Sequence, residues 1–212
     1  MPDSSHLLAF VLAALVLTLS PGPDNLLVLS LGVSRGRQAG MVFGLGCALG
    51  CLSHTALAVL GVSALLASTP WALSALKLVG GSYLMWLGLQ AWRHAGSATV
   101  KLDAGASGAA PEGLWRLFGR GLLANVVNPK VVLFFLSFLP QFVQVGGPPV
   151  ASQLAWLGAV FTLQAAVVFG ALGWGAGALG SWLTRRPGVG RWLDRAAGTV
   201  FIGLGARLVV VR

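Results

Sequence analysis

The sequence predicts an all-α integral membrane protein that forms one domain over residues 1–212 and crosses the bilayer six times. Charged residues make up only 9% of the chain and apolar or aromatic residues make up 56%, whereas a soluble domain carries about 25% charged residues. A helix needs about 20 residues to cross a hydrocarbon core of about 30 Å, so the chain has room for six such helices. The apolar runs are long and continuous, unlike the alternating strands of about 10 residues in a membrane β-barrel.

Charged residues and clusters of Gly and Pro divide the chain into six apolar segments. The predicted spans lie near residues 7–31, 40–66, 72–92, 119–143, 152–182 and 192–211. Tryptophan prefers the membrane interface, and five tryptophans fall at or near the predicted span ends: Trp71, Trp92, Trp115, Trp182 and Trp192. A segment rich in Gly, Ala and Ser, about residues 93–117, is predicted to be a flexible cytoplasmic loop.

The distribution of Lys and Arg predicts the orientation of these helices, because basic residues near span ends stay on the cytoplasmic side. One set of alternate loops holds ten of them: Arg35, Arg37, Arg93, Lys101, Arg116, Arg120, Arg185, Arg186, Arg191 and Arg195. The other set holds Lys77, Arg207 and Arg212. Both termini are therefore expected outside the cytoplasm. The net charge of +9 reflects this topology and contact with anionic membrane lipid, so nucleic acid is not an expected partner.

The first predicted helix is interrupted by two prolines and a glycine. Proline removes a backbone donor and clashes with the preceding turn, so this helix cannot run straight. The N–H and C=O groups freed at the break have to be satisfied by protein or by water in a cavity. We therefore expect a polar pocket here, and the candidate site residues are Pro21, Gly22, Pro23, Asp24 and Asn25.

The fourth predicted helix contains a second break, at Asn125, Asn128, Pro129 and Lys130. Asp24 and Lys130 each lie about 15 Å of helix away from a cytoplasmic arginine, which places both near the bilayer midplane. A charged group at this depth pairs or faces a water-filled pathway, so the two are expected to approach each other or to share one polar cavity. The alternative is that Asp24 only caps the second half-helix and Lys130 extends along the bundle.

The second predicted helix carries Cys47, Cys51 and His54 on one stripe. Two thiols and an imidazole could bind a soft metal, although their spacing matches no standard zinc pattern. A second interpretation makes His54 a pocket or proton-relay residue. A third assigns it to packing or hydrogen bonding against a neighbouring helix.

The remaining patterns indicate packing rather than chemistry. Glycines four residues apart, such as Gly40 and Gly44, allow close helix contacts and permit self-association into a homo-oligomer. The nucleophile-elbow pattern G-x-S-x-G is matched at residues 32–36, but in a basic loop and not between a strand and a helix. No catalytic residue and no cofactor are predicted, so the chain is not expected to be an enzyme.

The six predicted helices form two groups of three that have opposite orientations in the membrane. Each group begins with a broken helix. We therefore predict two inverted three-helix halves, an arrangement from which many secondary transporters are built.

Five segments together resemble the LysE/RhtB (lysine exporter) family of bacterial inner-membrane amino-acid exporters. They span residues 20–25, 34–40, 76–88, 125–130 and 134–142, and the resemblance covers nearly the whole chain. It implies six transmembrane helices and export of amino acids or close derivatives, driven by the proton gradient. The PGP motif of the family corresponds to residues 21–23, and its NPK motif corresponds to residues 128–130.

This chain departs from the family at one place. Many relatives carry an aspartate where Cys51 and Leu52 stand. If that aspartate handles the proton or a substrate amine, this chain is expected to use Asp24, His54 or another route, or to prefer a different substrate.

The expected mechanism is alternating access with a zwitterionic substrate bound between the two breaks. Lys130 and the half-helix N-termini would bind the carboxylate, and Asp24 with freed carbonyls would bind the ammonium. Asn25, Asn125 and Asn128 could orient the substrate by neutral hydrogen bonds. Three alternatives stay open at this point: a metal or small-cation exporter based on the cysteine and histidine stripe, a passive channel and a scaffold that transports nothing. Homoserine, threonine, leucine, cysteine and basic amino acids are all candidate substrates.

Overall fold

The computed structural model describes residues 4–20, 22–68, 70–96, 112–144, 146–185 and 187–210. Within these ranges the regular structure is entirely helical. The α-helices are α1 (Ser4–Leu19), α2 (Pro23–Ser34), α3 (Arg37–Ser68), α4 (Pro70–Arg93), α5 (Leu114–Val126), α6 (Pro129–Leu133), α7 (Val150–Arg185) and α8 (Pro187–Val210). A π-helical turn (Phe134–Phe138) and a 3-10 turn (Leu139–Phe142) continue α6.

Two of these helices are long and apolar enough to cross a membrane unaided, within Arg37–Gly61 of α3 and Val150–Gly180 of α7. Two bent pairs meet the same criteria when each pair is taken as one span. His6–Leu19 and Pro23–Ser34 are bent by 57°, and Leu114–Val126 and Pro129–Phe142 are bent by 49°. The described residues therefore provide two to four candidate spans, in agreement with the predicted all-α membrane class.

The structure has a break at each predicted place, and each break has a local cause. Gly22 is extended and precedes α2, and Pro23 takes the first helical position, where no backbone N–H is needed. Asn128 caps α6, because its Oδ1 accepts a hydrogen bond of 3.1 Å from the backbone N–H of Lys130. Pro129 then begins α6 in the same way.

Several predicted boundaries are corrected by the structure. Helices α7 and α8 begin before residues 152 and 192, because the backbone hydrogen bonds continue beyond the apolar region. The loop predicted over about 93–117 is shorter, since α4 ends at Arg93 and α5 begins at Leu114; its residues 97–111 lie outside the described residues. The segment predicted as the fourth span does not end as regular α-helix, because Pro140 lacks the N–H that would continue the α-helical ladder.

Facing glycines hold α4 and α8 close together. A Cβ on Gly81 would lie 2.9 Å from the carbonyl oxygen of Gly205, and a Cβ on Gly88 would lie 2.5 Å from that of Gly198. The partner's number falls as the residue number rises, so the two helices are antiparallel. Small residues at such positions allow membrane helices to approach through their backbones.

Helix α3 packs most extensively against α7 and α5. Gly46 lies against the backbone of Phe118, and Gly50 lies against Asn125, so α3 and α5 are parallel. Gly44 of α3 lies against Phe169 of α7, whereas Thr55, later in α3, lies against Gly158, earlier in α7; these two helices are therefore antiparallel. The glycines predicted to mediate packing in the second span do so.

Ion pairs and a charge-assisted hydrogen bond connect the loops for which the distribution of Lys and Arg predicts a cytoplasmic location. Arg35, which follows α2, and Arg120 of α5 donate hydrogen bonds of 3.1 and 2.6 Å to Glu112. Asp194 of α8 accepts a hydrogen bond of 2.7 Å from the backbone N–H of Gly96, which follows α4. The tryptophans predicted at the interface are all exposed: Trp71, Trp92, Trp115, Trp182 and Trp192.

Candidate functional site

A small cavity lies between the two breaks, where they meet α3 and α7. The space open to the centres of water-sized molecules is about 20 Å³, which is room for about one water molecule. Six predicted site residues line it: Gly22, Asp24, Asn25, Asn125, Asn128 and Lys130. The rest of the wall consists of Leu17, Thr18, Cys51, Val131, Phe161 and Phe169.

Asp24 presents a carboxylate at the start of α2, with only 3% of the residue exposed. Its Oδ2 accepts a hydrogen bond of 2.8 Å from Nδ2 of Asn125. Its Oδ1 is buried and has no hydrogen-bond partner. Buried polar atoms are almost always hydrogen-bonded, so an unpartnered carboxylate oxygen on a residue that lines a cavity marks a position for a donor.

Lys130 reaches from α6 to the break between α1 and α2. Its Nζ donates a hydrogen bond of 2.9 Å to the backbone carbonyl of Ser20. The side chain passes over Gly22, where an added Cβ would lie 3.3 Å from Nζ. The ammonium also lies 5.8 Å from the centre of the Phe201 ring, within range of a cation–π interaction.

Asp24 and Lys130 line one cavity but do not form an ion pair with each other. Asp24 binds the second break through Asn125, and Lys130 binds the first break through Ser20. Each charged group is thus held by a neutral partner on the opposite broken helix. Both groups can bind a further polar molecule without first breaking a salt bridge.

The other predicted residues of the breaks have structural contacts. Asn25 donates from Nδ2 to the carbonyl oxygen of Thr18 at 2.7 Å, which ties α2 to the last turn of α1. Asn128, Pro129 and Pro23 form the starts of α6 and α2 described above. Pro21 lies outside the described residues.

Asn125 is the most connected residue of the site. Its side chain donates to Asp24, and its Oδ1 lies 3.5 Å from the thiol of Cys51. Its backbone carbonyl lies 3.0 Å from Nε2 of His54. His54 is 1% exposed and does not line the cavity; it contacts Asn125 of the site and packs against Phe135.

The structure does not support the metal interpretation of the stripe formed by Cys47, Cys51 and His54. No three His, Cys, Asp or Glu side chains in the described ranges form a group that could hold a metal ion. The thiol of Cys51 is directed to Asn125 and to the backbone of Cys47. A common helical stripe is therefore not a common binding point, because Cys51 contacts the side chain of Asn125 and His54 contacts its backbone carbonyl.

Sequence reasoning missed one polar residue and several apolar residues of the wall. Thr18 carried a usable signal, because it is a hydroxyl residue one turn before a break in an apolar helix. Phe161 and Phe169 carried none, since aromatic residues in a long apolar helix ordinarily belong to the core. Their place beside the breaks depends on how α7 packs.

The sequence model of the LysE type translocator family matches residues 15–212. The chain belongs to this family. A LysE type translocator is a membrane transporter and not an enzyme, which confirms two of the expectations drawn from the sequence.

Several relatives of this LysE type translocator are named efflux proteins. The threonine efflux protein of Salmonella typhi is 32% identical over 203 residues, which cover 93% of this chain and 94% of that protein. The threonine efflux protein of Escherichia coli (strain K12) is 31% identical over 214 residues, with coverages of 97% and 98%. The homoserine/homoserine lactone efflux protein of Salmonella typhimurium is 29% identical over 204 residues, with both coverages at 96%. No solved structure matches the chain.

Proposed function

We propose that this transporter exports small α-amino acids from the bacterial cytoplasm across the inner membrane. The observation that carries the proposal is the cavity shared by Asp24 and Lys130, in which neither charge neutralises the other directly. An α-amino acid carries one ammonium and one carboxylate a short distance apart. A site with one free carboxylate oxygen and one ammonium matches that pattern. The names of the efflux relatives support the same substrate class.

The substrate ammonium would bind Oδ1 of Asp24, which has no partner in the structure. The substrate carboxylate would take Nζ of Lys130 from the carbonyl of Ser20. The start of α2, where no side chain caps the helix, also favours an anion. The start of α6 does not add such a site, because its first backbone N–H groups are hydrogen-bonded to Asn128. Asn25, Asn125 and Asn128 would orient the substrate by neutral hydrogen bonds, as the sequence predicts.

The size of the cavity supports transport by alternating access. A space for about one water molecule cannot hold an amino acid, so the walls have to separate before substrate binds. In the closed arrangement Lys130 binds Ser20 and Asn125 binds Asp24, and these contacts connect the two broken helices. As the two breaks move apart, hydrogen bonds to the substrate would replace these two contacts.

Six spans in two inverted halves account for the directions in which the helices pack. Helices α4 and α8 each contain 24 residues, or about 36 Å of helix, which is enough to cross the bilayer. The antiparallel pairs α4–α8 and α3–α7 and the parallel pair α3–α5 agree with six alternating crossings. In this arrangement α3 and α7 are the second spans of the two halves, and α4 and α8 are the third spans. Both antiparallel pairs therefore join corresponding helices. Both termini would then lie outside, with the basic loops near anionic lipid.

The proton gradient is the proposed driving force, and Asp24 is the proposed coupling group, because its carboxylate is the one predicted near the midplane.

Self-association through the helix faces that carry glycines stays a prediction from the sequence.

Uptake into inside-out membrane vesicles tests this function. With a proton gradient imposed, vesicles holding the full chain should accumulate at least one labelled amino acid among threonine, homoserine, leucine, cysteine and lysine, and an uncoupler should abolish the uptake. Asp24→Asn and Lys130→Met should each lower the initial rate by about tenfold or more, since each removes a charge-assisted hydrogen bond.

Two matched variants test whether the loss of a charged side chain outside the cavity also lowers transport. Asp194→Asn removes a buried carboxylate outside the cavity, and Lys77→Met removes a lysine of α4 that does not line it. Both should transport as the unmodified chain does. Absence of any amino-acid uptake by correctly inserted protein would contradict the proposal, as would normal uptake by both cavity variants.

A further inference from the structure

The cavity wall contains one polar position that the binding of an ammonium and a carboxylate does not use. Thr18 lies in the last turn of α1, is 5% exposed and lines the cavity beside Leu17 and Phe161. Its position is fixed on the backbone side, because Asn25 donates to its carbonyl at 2.7 Å. The surrounding wall is apolar, so this hydroxyl is an isolated polar group on that side.

The hydroxyl of Thr18 has more hydrogen-bonding capacity than its neighbours use. Oγ1 lies 2.8 Å from the carbonyl oxygen of Ala14 and 3.4 Å from Oε1 of Gln164 on α7. A hydroxyl has a single proton and two lone pairs. The proton can serve only one of these oxygens, and the shorter contact is to Ala14.

The amide of Gln164 is also incompletely used. Its Nε2 is buried and has no hydrogen-bond partner. The two ends of an amide are interchangeable by a half-turn, which would let Nε2 donate to Oγ1 of Thr18 and leave Oε1 unpartnered instead. In either orientation at least one polar atom of Gln164 has no partner, and Oγ1 of Thr18 keeps at least one unused lone pair.

We infer that the pair Thr18–Gln164 selects amino acids that carry a hydroxyl on a short side chain. This inference rests on the proposed function. With the substrate's ammonium and carboxylate on Asp24 and Lys130, its side chain faces the wall formed by α1 and α7. A substrate hydroxyl donates to Oγ1 of Thr18, and Gln164 acts as a positioning residue through its contact with that atom.

Selectivity follows from the buried polar group itself. An aliphatic side chain of the same size fills the same space but leaves the lone pair of Thr18 unpaired. Sites built to hydrogen-bond a substrate hydroxyl reject the analogue that lacks it far more strongly than apolar pockets distinguish one methylene. Threonine against valine and homoserine against norvaline are the matched pairs for this comparison, because each pair exchanges a hydroxyl for a methyl group.

Counterflow in liposomes containing the purified full chain measures the rate ratio for each pair. The unmodified protein should prefer the hydroxyl substrate by about tenfold or more. Thr18→Val and Gln164→Leu should each reduce the ratio by about fivefold or more, and Thr18→Ser should restore it because the hydroxyl is kept. Thr162→Val is the matched control, since Thr162 is a buried threonine of α7 with an unpartnered hydroxyl that does not line the cavity. Its ratio should equal that of the unmodified chain.

The outcomes separate this inference from the function on which it rests. If no amino acid is transported by the unmodified protein, the proposed function is wrong. If amino acids are transported but the ratios are near one, or if Thr18→Val and Gln164→Leu leave the ratios unchanged, only the selectivity inference is wrong. The same conclusion follows if Thr162→Val changes the ratios as much as Thr18→Val does.

Discussion

Nδ2 of Asn125 donates a hydrogen bond of 2.8 Å to Oδ2 of Asp24, and this contact joins the two broken helices across the cavity. Asn125 lies in the last turn of α5, and Asp24 lies in the first turn of α2. A movement of either break therefore changes the environment of the buried carboxylate. In the proposed mechanism this contact would connect substrate binding at one broken helix to rearrangement of the other.

Replacing Asn125 by leucine should impair both stability and transport. The carboxylate of Asp24 would lose its donor and stay buried, which costs about 1.5–3 kcal/mol. We expect a lower melting temperature in detergent and a fall in transport rate of about tenfold or more. A thermal melt and a vesicle uptake assay on the same preparation measure the two effects.

The double variant Asp24→Asn with Asn125→Leu supplies the control for this prediction. A neutral amide is less costly to leave unpaired than a carboxylate, so the double variant should melt at a higher temperature than Asn125→Leu alone. Equal melting temperatures for the two variants would show that the contact with Asp24 is not the cause.

Adding a methyl group at Gly22 should displace Lys130 without disturbing the backbone. Gly22 is extended, a conformation open to alanine, but the new Cβ would lie 3.3 Å from Nζ. We expect Gly22→Ala to reduce transport several-fold and to leave the amount of folded protein unchanged. Gly113→Ala is the matched control, because Gly113 also caps a helix start and has no atoms within 4 Å of an added Cβ. Equal transport by both variants would contradict the assigned role of Gly22.

The close contact of α3 with α5 predicts a difference between two glycines of one helix. A Cβ at Gly121 would overlap the carbonyl oxygen of Phe43, whereas a Cβ at Gly119 would meet nothing within 4 Å. Gly121→Ala should destabilise the protein by about 1–3 kcal/mol, since overpacking forces the backbones apart. Gly119→Ala should be neutral or slightly stabilising because alanine favours helix. Thermal melts of the two variants measure this difference. Equal melting temperatures would show that α3 and α5 do not approach closely enough to exclude a methyl group at Gly121.

The proposed topology predicts which loops a membrane-impermeant thiol reagent reaches in intact cells. Gly147 lies in the loop before α7, on the proposed outer side, and Gly113 precedes α5 on the proposed cytoplasmic side. Both are exposed, and the native Cys47 and Cys51 are buried, so background labelling should be low. Gly147→Cys should be labelled in intact cells and Gly113→Cys only after the cells are opened. The reverse pattern would overturn the orientation, and labelling of both sites in intact cells would overturn the six-span arrangement.

Features that depend on residues close together in the chain could be predicted from the sequence. Proline at positions 23 and 129 lacks a backbone donor, and Asn128 caps the helix after it, so both breaks were predictable. Six of the predicted site residues line one cavity, because the two breaks lie beside each other. His54 does not line the cavity although Cys51 on the same stripe does, and its contact with the backbone of Asn125 agrees with the hydrogen-bonding alternative.

Hydropathy, charge distribution and proline positions by themselves determined that this chain forms helices in a membrane and that two of them are broken. Only the tertiary structure decided that Lys130 binds the carbonyl of Ser20 rather than Asp24, and that Asn125 is the partner of Asp24. These partners are 110 and 101 residues apart in the chain. Contacts over such separations depend on which helix faces approach, and here glycines set that approach by allowing backbones to touch.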